Sequence, residues 1–260
     1  MEIKLLEKKE NKVVFVLKGA DPVFANTLRR VISVEVPTMA IDEINFYKNS
    51  SALYDEIIAH RIGLVPIKTD LKSYDLRSEC NCKGEGCAKC QLNFTLNCKG
   101  PCTVYSKDLK SQDPKIKVVF DNMPIVKLLK DQQLELEASA KLGNGKEHIK
   151  FSPGLVFYRN YPEIEIKKEE KAAKCIKACP RGVFELKNKK IVVNDVTKCD
   201  LCEACVEACG ADVISIKANE NDFIFELESW GQLSPKEILE EALNVIDKKV
   251  DEFSKKLKEI

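Results

Sequence analysis

Six cysteines between positions 175 and 209 constrain this chain more than any other feature. Cys199, Cys202, Cys205 and Cys209 stand in a C-x2-C-x2-C-x3-C run, a spacing that curls successive thiolates around one iron–sulfur cube. Such runs work in pairs, three cysteines of one holding a cluster while the fourth reaches across to the other. Here the other run is damaged. It keeps Cys175 and Cys179-Pro180, and Lys167-Lys-Glu-Glu-Lys-Ala-Ala-Lys174 stands where its first two cysteines belong. Cys179, Cys199, Cys202 and Cys205 therefore complete one cluster, 4Fe-4S, or 3Fe-4S if Cys179 is displaced or an iron is lost. An all-thiolate zinc site on the same four residues is the chemical rival. Cys175 and Cys209 cannot hold a second cube, which leaves them as two packed thiols or as a disulfide in the vacated space. A carrier that passes electrons through two centres is thereby excluded.

The 260 residues suffice for about two domains of ordinary size, and 44% hydrophobic residues can build a core. A formal charge of +1 gives no global attraction to a polyanion, and the basic run at 187–190 is offset by nearby acids, which argues against direct DNA contact. No apolar run approaches the roughly 20 residues that span a bilayer, and the N-terminus has no apolar signal core. The expected compartment is the cytoplasm, where 12 cysteines point to metal rather than to a disulfide framework.

Alternation over residues 3–6 and 13–17 predicts a hairpin turning at Glu10-Asn11. Asp21-Pro22 supplies an N-cap and a proline at the first helical position, with Phe24, Leu28, Val31 and Ile32 on one face and Pro37 as the stop. A second helix over residues 53–62 puts Ile57, Ile58 and Ile62 inward, with Gly63 ending it. Residues 68–117 read as irregular, and strand-like text follows at 116–120, 134–142, 149–159 and 223–229. Ser234-Pro235-Lys236-Glu237 is a capping box with proline in the first turn. From there Leu239, Leu243, Ile246, Val250, Phe253, Leu257 and Ile260 step alternately by 4 and 3, a heptad seam. That helix either covers a sheet of its own chain or, as so regular a seam at a chain end suggests, meets a partner helix.

The other cysteine group reads Cys80-Asn-Cys82-Lys-Gly-Glu-Gly-Cys87-Ala-Lys-Cys90, with Cys98 and Cys102 beyond it. Cys80, Cys82, Cys87 and Cys90 resemble a compact zinc loop, since glycines in the turn let four soft ligands converge. His60 reads as structural and His148 as exposed, and two histidines are too few for most acid–base schemes. With no nucleophile elbow, phosphate-cradling glycine loop or H-E-x-x-H, catalysis by this chain alone is not expected.

Phe24-Ala-Asn-Thr-Leu-Arg-Arg-Val31, Glu35-Val-Pro-Thr-Met-Ala-Ile-Asp-Glu-Ile44, Ala52-Leu-Tyr-Asp-Glu-Ile-Ile-Ala-His-Arg-Ile-Gly-Leu-Val-Pro66 and Glu226-Leu-Glu-Ser-Trp-Gly-Gln-Leu-Ser-Pro235 resemble the alpha-type assembly subunits of DNA-directed RNA polymerase. The form most resembled is the archaeal one, whose eukaryotic counterpart is the third-largest subunit of RNA polymerase II. The resemblance implies an α+β fold: a discontinuous alpha-type dimerisation domain over residues 1–45 and 219–260, an inserted mainly β domain over 46–166 with the cysteine loop, and a ferredoxin-like iron–sulfur domain over 167–218. It implies a non-catalytic part of a nucleotidyltransferase that heterodimerises with subunit L through the seam Leu239, Leu243, Ile246, Val250, Phe253 and Leu257. Small subunits N and P would join this pair, which nucleates assembly of the large catalytic subunits. Arg29, Arg30, Glu56, His60 and Arg61 match motif positions near the large-subunit contact. The C-x4-C step departs by one residue from the C-x3-C of the eukaryotic counterpart. A ferredoxin-type electron-transfer or redox-sensing protein is the alternative, disfavoured by the missing second centre.

Overall fold

A computed structural model describes residues 1–168, 173–187 and 190–259. Part of the lysine-rich 167–174 segment, part of the basic run at 187–190, and Ile260 of the seam lie outside the described residues. The chain opens with β1 (Glu2–Lys8), β2 (Lys12–Lys18) and α1 (Pro22–Val34), then β3 (Thr38–Asn49) and α2 (Asp55–Gly63). The strands β4 (Leu92–Lys99), β5 (Cys102–Tyr105), β6 (Lys110–Ser111), β7 (Pro124–Leu128), β8 (Gln133–Gly143) and β9 (Gly154–Ile166) follow. A cysteine-bearing module holds α3 (Ala173–Ala178), β10 (Phe184–Lys187), β11 (Lys190–Val193) and α4 (Ala204–Cys209). The chain closes on β12 (Ile214–Ser229) and α5 (Pro235–Leu257).

Two compact units result, the first made of residues 1–9, 13–27 and 157–226. Its sheet runs β1-β2-β12-β9, with the β1–β2 hairpin antiparallel from Glu2 opposite Lys18 to Lys8 opposite Val13. Val14, Phe15, Val16 and Leu17 are all buried, a continuous rather than alternating apolar run, because both faces of this sheet are covered. Val14 and Val16 pack with Ile224, Leu6 and Tyr161 on one face. On the other, Phe15 stacks on Phe225 at 5.3 Å and Tyr158 meets Phe223 edge-on at 5.4 Å, arrangements that aromatic quadrupoles favour. The cysteine module completes this unit, its core made of Cys175, Val183, Phe184, Ile191, Cys199, Cys205, Val213 and Ile214.

The second unit comprises residues 10–12, 28–156 and 227–260. Its main sheet runs β3-β8-β4-β6, and β5 pairs with β7. Strand β8 alternates strictly, with Leu134, Leu136, Ala138, Ala140 and Leu142 buried, so one face of the sheet carries the core together with Met39, Ile41, Phe94 and Leu96. Helix α2 closes that core through Ile58 and Ile62, four residues and about one turn apart. Ile57, expected inward, is 46% exposed because it stands one helical step from that stripe.

Three further expectations are corrected. Residues 116–120 form no strand; Val118 makes only an isolated bridge to Ile67, and Ile116 is buried. Residues 149–151 are a short 3-10 turn ahead of β9. The stretch read as irregular contains β4, β5 and β6. Among the described residues no helix is long and apolar enough to cross a membrane.

Helix α1 starts where Asp21 Oδ1 accepts the Val23 amide at 2.6 Å, and it buries Ala25, Leu28, Val31 and Ile32. At the start of α5 the Glu237 amide donates to Ser234 Oγ at 3.3 Å, and the Ser234 amide donates to Glu237 Oε2 at 2.8 Å. Ser234→Ala is expected to cost about 1 kcal/mol of stability, read as a shifted denaturant midpoint with unchanged slope.

Candidate metal centres and an uncovered helix

Cysteines 80–90 lie on a loop of the second unit that precedes β4. Gly84 and Gly86 take positive φ values of 89° and 95°, conformations that glycine adopts without strain and that fold the loop back on itself. Arg77 Nη2 donates to Gln91 Oε1 at 2.8 Å, fastening the far end of the loop. The turn brings Sγ of Cys80 to 3.5 Å from Cys87, Cys82 to 3.5 Å from Cys90, and Cys87 to 3.9 Å from Cys90. All four sulfurs lie within 4.8 Å of one another. An ion bonded tetrahedrally to four thiolates at about 2.3 Å needs them about 3.8 Å apart, so the donor set fits a metal ion. The Gly86 amide, with the Cys80 and Cys90 thiols, draws the Cys82 thiol down to about 6. Against the pull of the Cys82 amide, burial and neighbouring sulfurs push Cys80 up to about 12. Cys98 and Cys102 are not part of this group.

In the cysteine module, Leu201 and Glu203 have left-handed φ values of 62° and 58°, which bend the chain between Cys199, Cys202 and Cys205. Cys199 and Cys205 are buried, Cys179 is half-buried and Cys202 is exposed, and all four are free thiols. Burial pushes the Cys199 and Cys205 thiols up, and the neighbouring Cys179 raises each further. The Val183 amide points to Cys179 Sγ at 3.5 Å, a donor of the kind that supports cluster sulfurs. Donor chemistry and backbone curl suit thiolate ligation by these four residues, while among the described residues it is Cys80, Cys82, Cys87 and Cys90 whose sulfurs all lie within 4.8 Å of one another. Cys175 and Cys209 are bonded to each other, joining α3 to α4 with 5.8 Å between their Cα atoms.

The candidate contact residues fall on two helices. Arg29 and Arg30 lie on α1; Glu56, His60 and Arg61 lie on α2 with their side chains exposed. Arg61 Nη1 donates to the Ile125 carbonyl at 2.7 Å, which gives it a structural role as well. His60 and His148, far apart in sequence, line one cavity of about 160 Å³ together with Asp42 and Lys150. Sequence reasoning treated the two histidines separately and missed Asp42. No local pattern pairs them, because the β3–β8 register and the 3-10 turn after His148 create the juxtaposition. Asp42 bridges Lys150 at 2.6 Å and Lys141 at 2.9 Å. Burial works against its charge, but the two lysines prevail and hold its carboxyl below the usual carboxylate range.

Helix α5 turns two neighbouring apolar stripes to different surroundings. Ile238 and Ala242 are fully buried within the chain, whereas Leu243, Val250, Phe253 and Leu257 of the heptad seam are 47%, 57%, 64% and 53% exposed. Leu239 and Ile246 are half-buried between the two stripes.

Residues 34–153 match the model of the RNA polymerase Rpb3/RpoA insert domain. The DNA-directed RNA polymerase subunit Rpo3 of Archaeoglobus fulgidus is 44% identical over 261 aligned residues, covering 100% of this chain and 98% of that protein. The chain belongs to the Rpo3 family of DNA-directed RNA polymerase subunits. The Rpo3 subunits of Methanosarcina acetivorans, 40% identical over 97% of both chains, and of Pyrococcus furiosus, 39% identical over 100% of this chain and 98% of that one, agree. Rpo3 membership makes this a non-catalytic polymerase subunit, and both the four-cysteine loop and the Asp42 cavity fall inside the matched insert domain.

Because the Asp42 carboxyl is depressed in the fold, its stabilisation is present above the unfolded value near 3.9 and is lost as pH falls through the folded one. Asp42→Asn should therefore destabilise the chain by about 1 kcal/mol at pH 7, a deficit that shrinks in urea titrations as pH falls below the unfolded value and vanishes only once it is below the depressed folded one.

Proposed function

We propose that the chain is the assembly scaffold of its polymerase, pairing through α5 with the small alpha-like subunit L. The uncovered seam carries this reading. Leu243, Val250, Phe253 and Leu257 form a continuous apolar stripe along a capped helix of 23 residues, and contiguous exposed apolar surface marks an interaction site. Helix-on-helix docking through anchors at this spacing is the mode such a stripe suits. Residues 1–45 and 219–260 would form the discontinuous dimerisation domain, with subunits N and P joining the pair. Arg29, Arg30, Glu56, His60 and Arg61 would face a large catalytic subunit, the exposure of the three α2 side chains supporting that role.

Two metal centres belong to the same reading. Cys80, Cys82, Cys87 and Cys90 would hold zinc, and Cys179, Cys199, Cys202 and Cys205 one 4Fe-4S cluster within a ferredoxin-like module. Bound metal would supply bracing, since thiolate–metal bonds supply folding energy, most of all to the polar 80–90 loop that has no core of its own. The Cys175–Cys209 bond braces the same module where a second cluster would otherwise sit.

Size-exclusion chromatography of this chain mixed with the small subunit should give a 1:1 heterodimer, and removal of residues 239–260 should abolish it; a truncated chain that still pairs would refute the role given to α5. Cys202→Ser combined with Cys205→Ser should release iron and sulfide, measured by elemental analysis, and weaken binding to the small subunit. Unchanged affinity would confine the cluster to bracing its own module.

A further inference from the structure

The seam alone does not say which helix it meets, because apolar stripes pair with little selectivity and charged flanks decide partner choice. With Leu239, Ile246 and Phe253 as d residues and Leu243, Val250 and Leu257 as a residues, Glu240, Asp247 and Ser254 fall at e, and Ala242, Lys249 and Lys256 at g. The two flanks differ in what they meet. On the g side Ala242 is buried within the chain and Lys249 is ion-paired to Glu35, just beyond α1. On the e side Glu240, Asp247 and, one step further round, Asp251 are exposed. Glu240 meets the exposed Lys236 one turn back at 3.4 Å, an i,i+4 pair open to solvent.

We infer that this acidic flank selects the partner: the helix docking on α5 carries lysine or arginine along the edge facing Glu240, Asp247 and Asp251. The inference rests on the proposed pairing through α5. A second copy of this chain does not meet the requirement. Packed antiparallel, e residues face e residues and g face g, so the acids Glu240 and Asp247 would face acids or Ser254 of the other copy, and Lys249 and Lys256 would face lysine or Ala242. Packed parallel, each g residue faces the e residue of the next heptad, so Ala242 would meet Asp247 and Lys249 would meet Ser254. Neither arrangement forms an ion pair across the seam, and the first opposes like charges, which is the repulsive element that specificity requires.

The experiment reverses the flank and compares it with a control of equal charge change. E240K/D247K/D251K alters the acidic edge, while E241K/E252K/E259K alters acids on the face turned away from the seam; all six are exposed except the half-buried Glu241, and circular dichroism checks that both variants fold. Calorimetric titration with the purified small subunit of the same polymerase should show at least about tenfold weaker binding for the first variant, a smaller salt dependence than the parent, and parental affinity for the control. Equal effects of the two variants, or no effect of either, would overturn the inference. So would self-association of the parent chain as tight as its binding to the small subunit. Failure of the parent chain to bind the small subunit would instead remove the pairing through α5, and the inference with it.

Discussion

A single helix can bury one stripe against its own chain, and α5 carries two. Ile238 and Ala242 take the intrachain side, and the heptad seam is centred roughly 80° further round, where the described residues leave most of it uncovered. The capping box at Ser234 and Glu237 fixes where the helix begins and so which residues fall on each stripe. Shifting that start by one residue would turn every side chain by about 100°, bringing charged groups to the core and apolar ones to water. The buried stripe sets the pose of the helix, and that pose determines what the free stripe presents.

The cysteine segments meet a different constraint. Cysteines 80–90 occupy a stretch of lysine, glutamate and glycine that lacks the apolar area to pack by itself, whereas Cys199 and Cys205 are built into a small core with Val183, Phe184, Ile191, Val213 and Ile214. The thiols of the first loop converge because Gly84 and Gly86 bend the backbone around them, and in the second Leu201 and Glu203 bend the chain between Cys199 and Cys205. A buried group of free sulfurs raises its own ionisation cost, and metal coordination removes that cost by neutralising the thiolates as they form. Cys175 and Cys209 satisfy their sulfurs by bonding to each other.

Local chemistry made the helices legible in the sequence. Asp21-Pro22 and Ser234-Pro235-Lys236-Glu237 announce helix starts through caps whose geometry depends on only a few neighbouring residues. The long sheet of the second unit was less legible. Strand β4 carries Asn93 and Thr95 between its buried Leu92, Phe94 and Leu96, and the cysteines on either side of that run hid the alternation. Residues 116–120 misled in the opposite way, since their apolar character serves one buried isoleucine and one bridge rather than a ladder. The seam was visible as a pattern, but its exposure was not, because period alone cannot tell which of two apolar stripes the rest of the chain will cover. The meeting of His60, His148 and Asp42 depended on strand register, which no short motif encodes.

An uncovered stripe also changes what stability means for such a chain. Exposed Val250, Phe253 and Leu257 lie on the C-terminal half of α5, where residues 247–257 are all exposed and the helix draws little packing from the described residues of its own chain. An isolated helical end of about a dozen residues is marginal in water, since most helix stability in proteins comes from packing an apolar face. A partner that covers the seam supplies that packing and binds only the folded form, so the apparent stability of this half-helix rises with partner concentration. The N-terminal half, anchored by Ile238 and Ala242, needs no such help and presents the first seam residues already in register. Binding can thus begin on a preformed turn and extend along a helix that the partner itself stabilises.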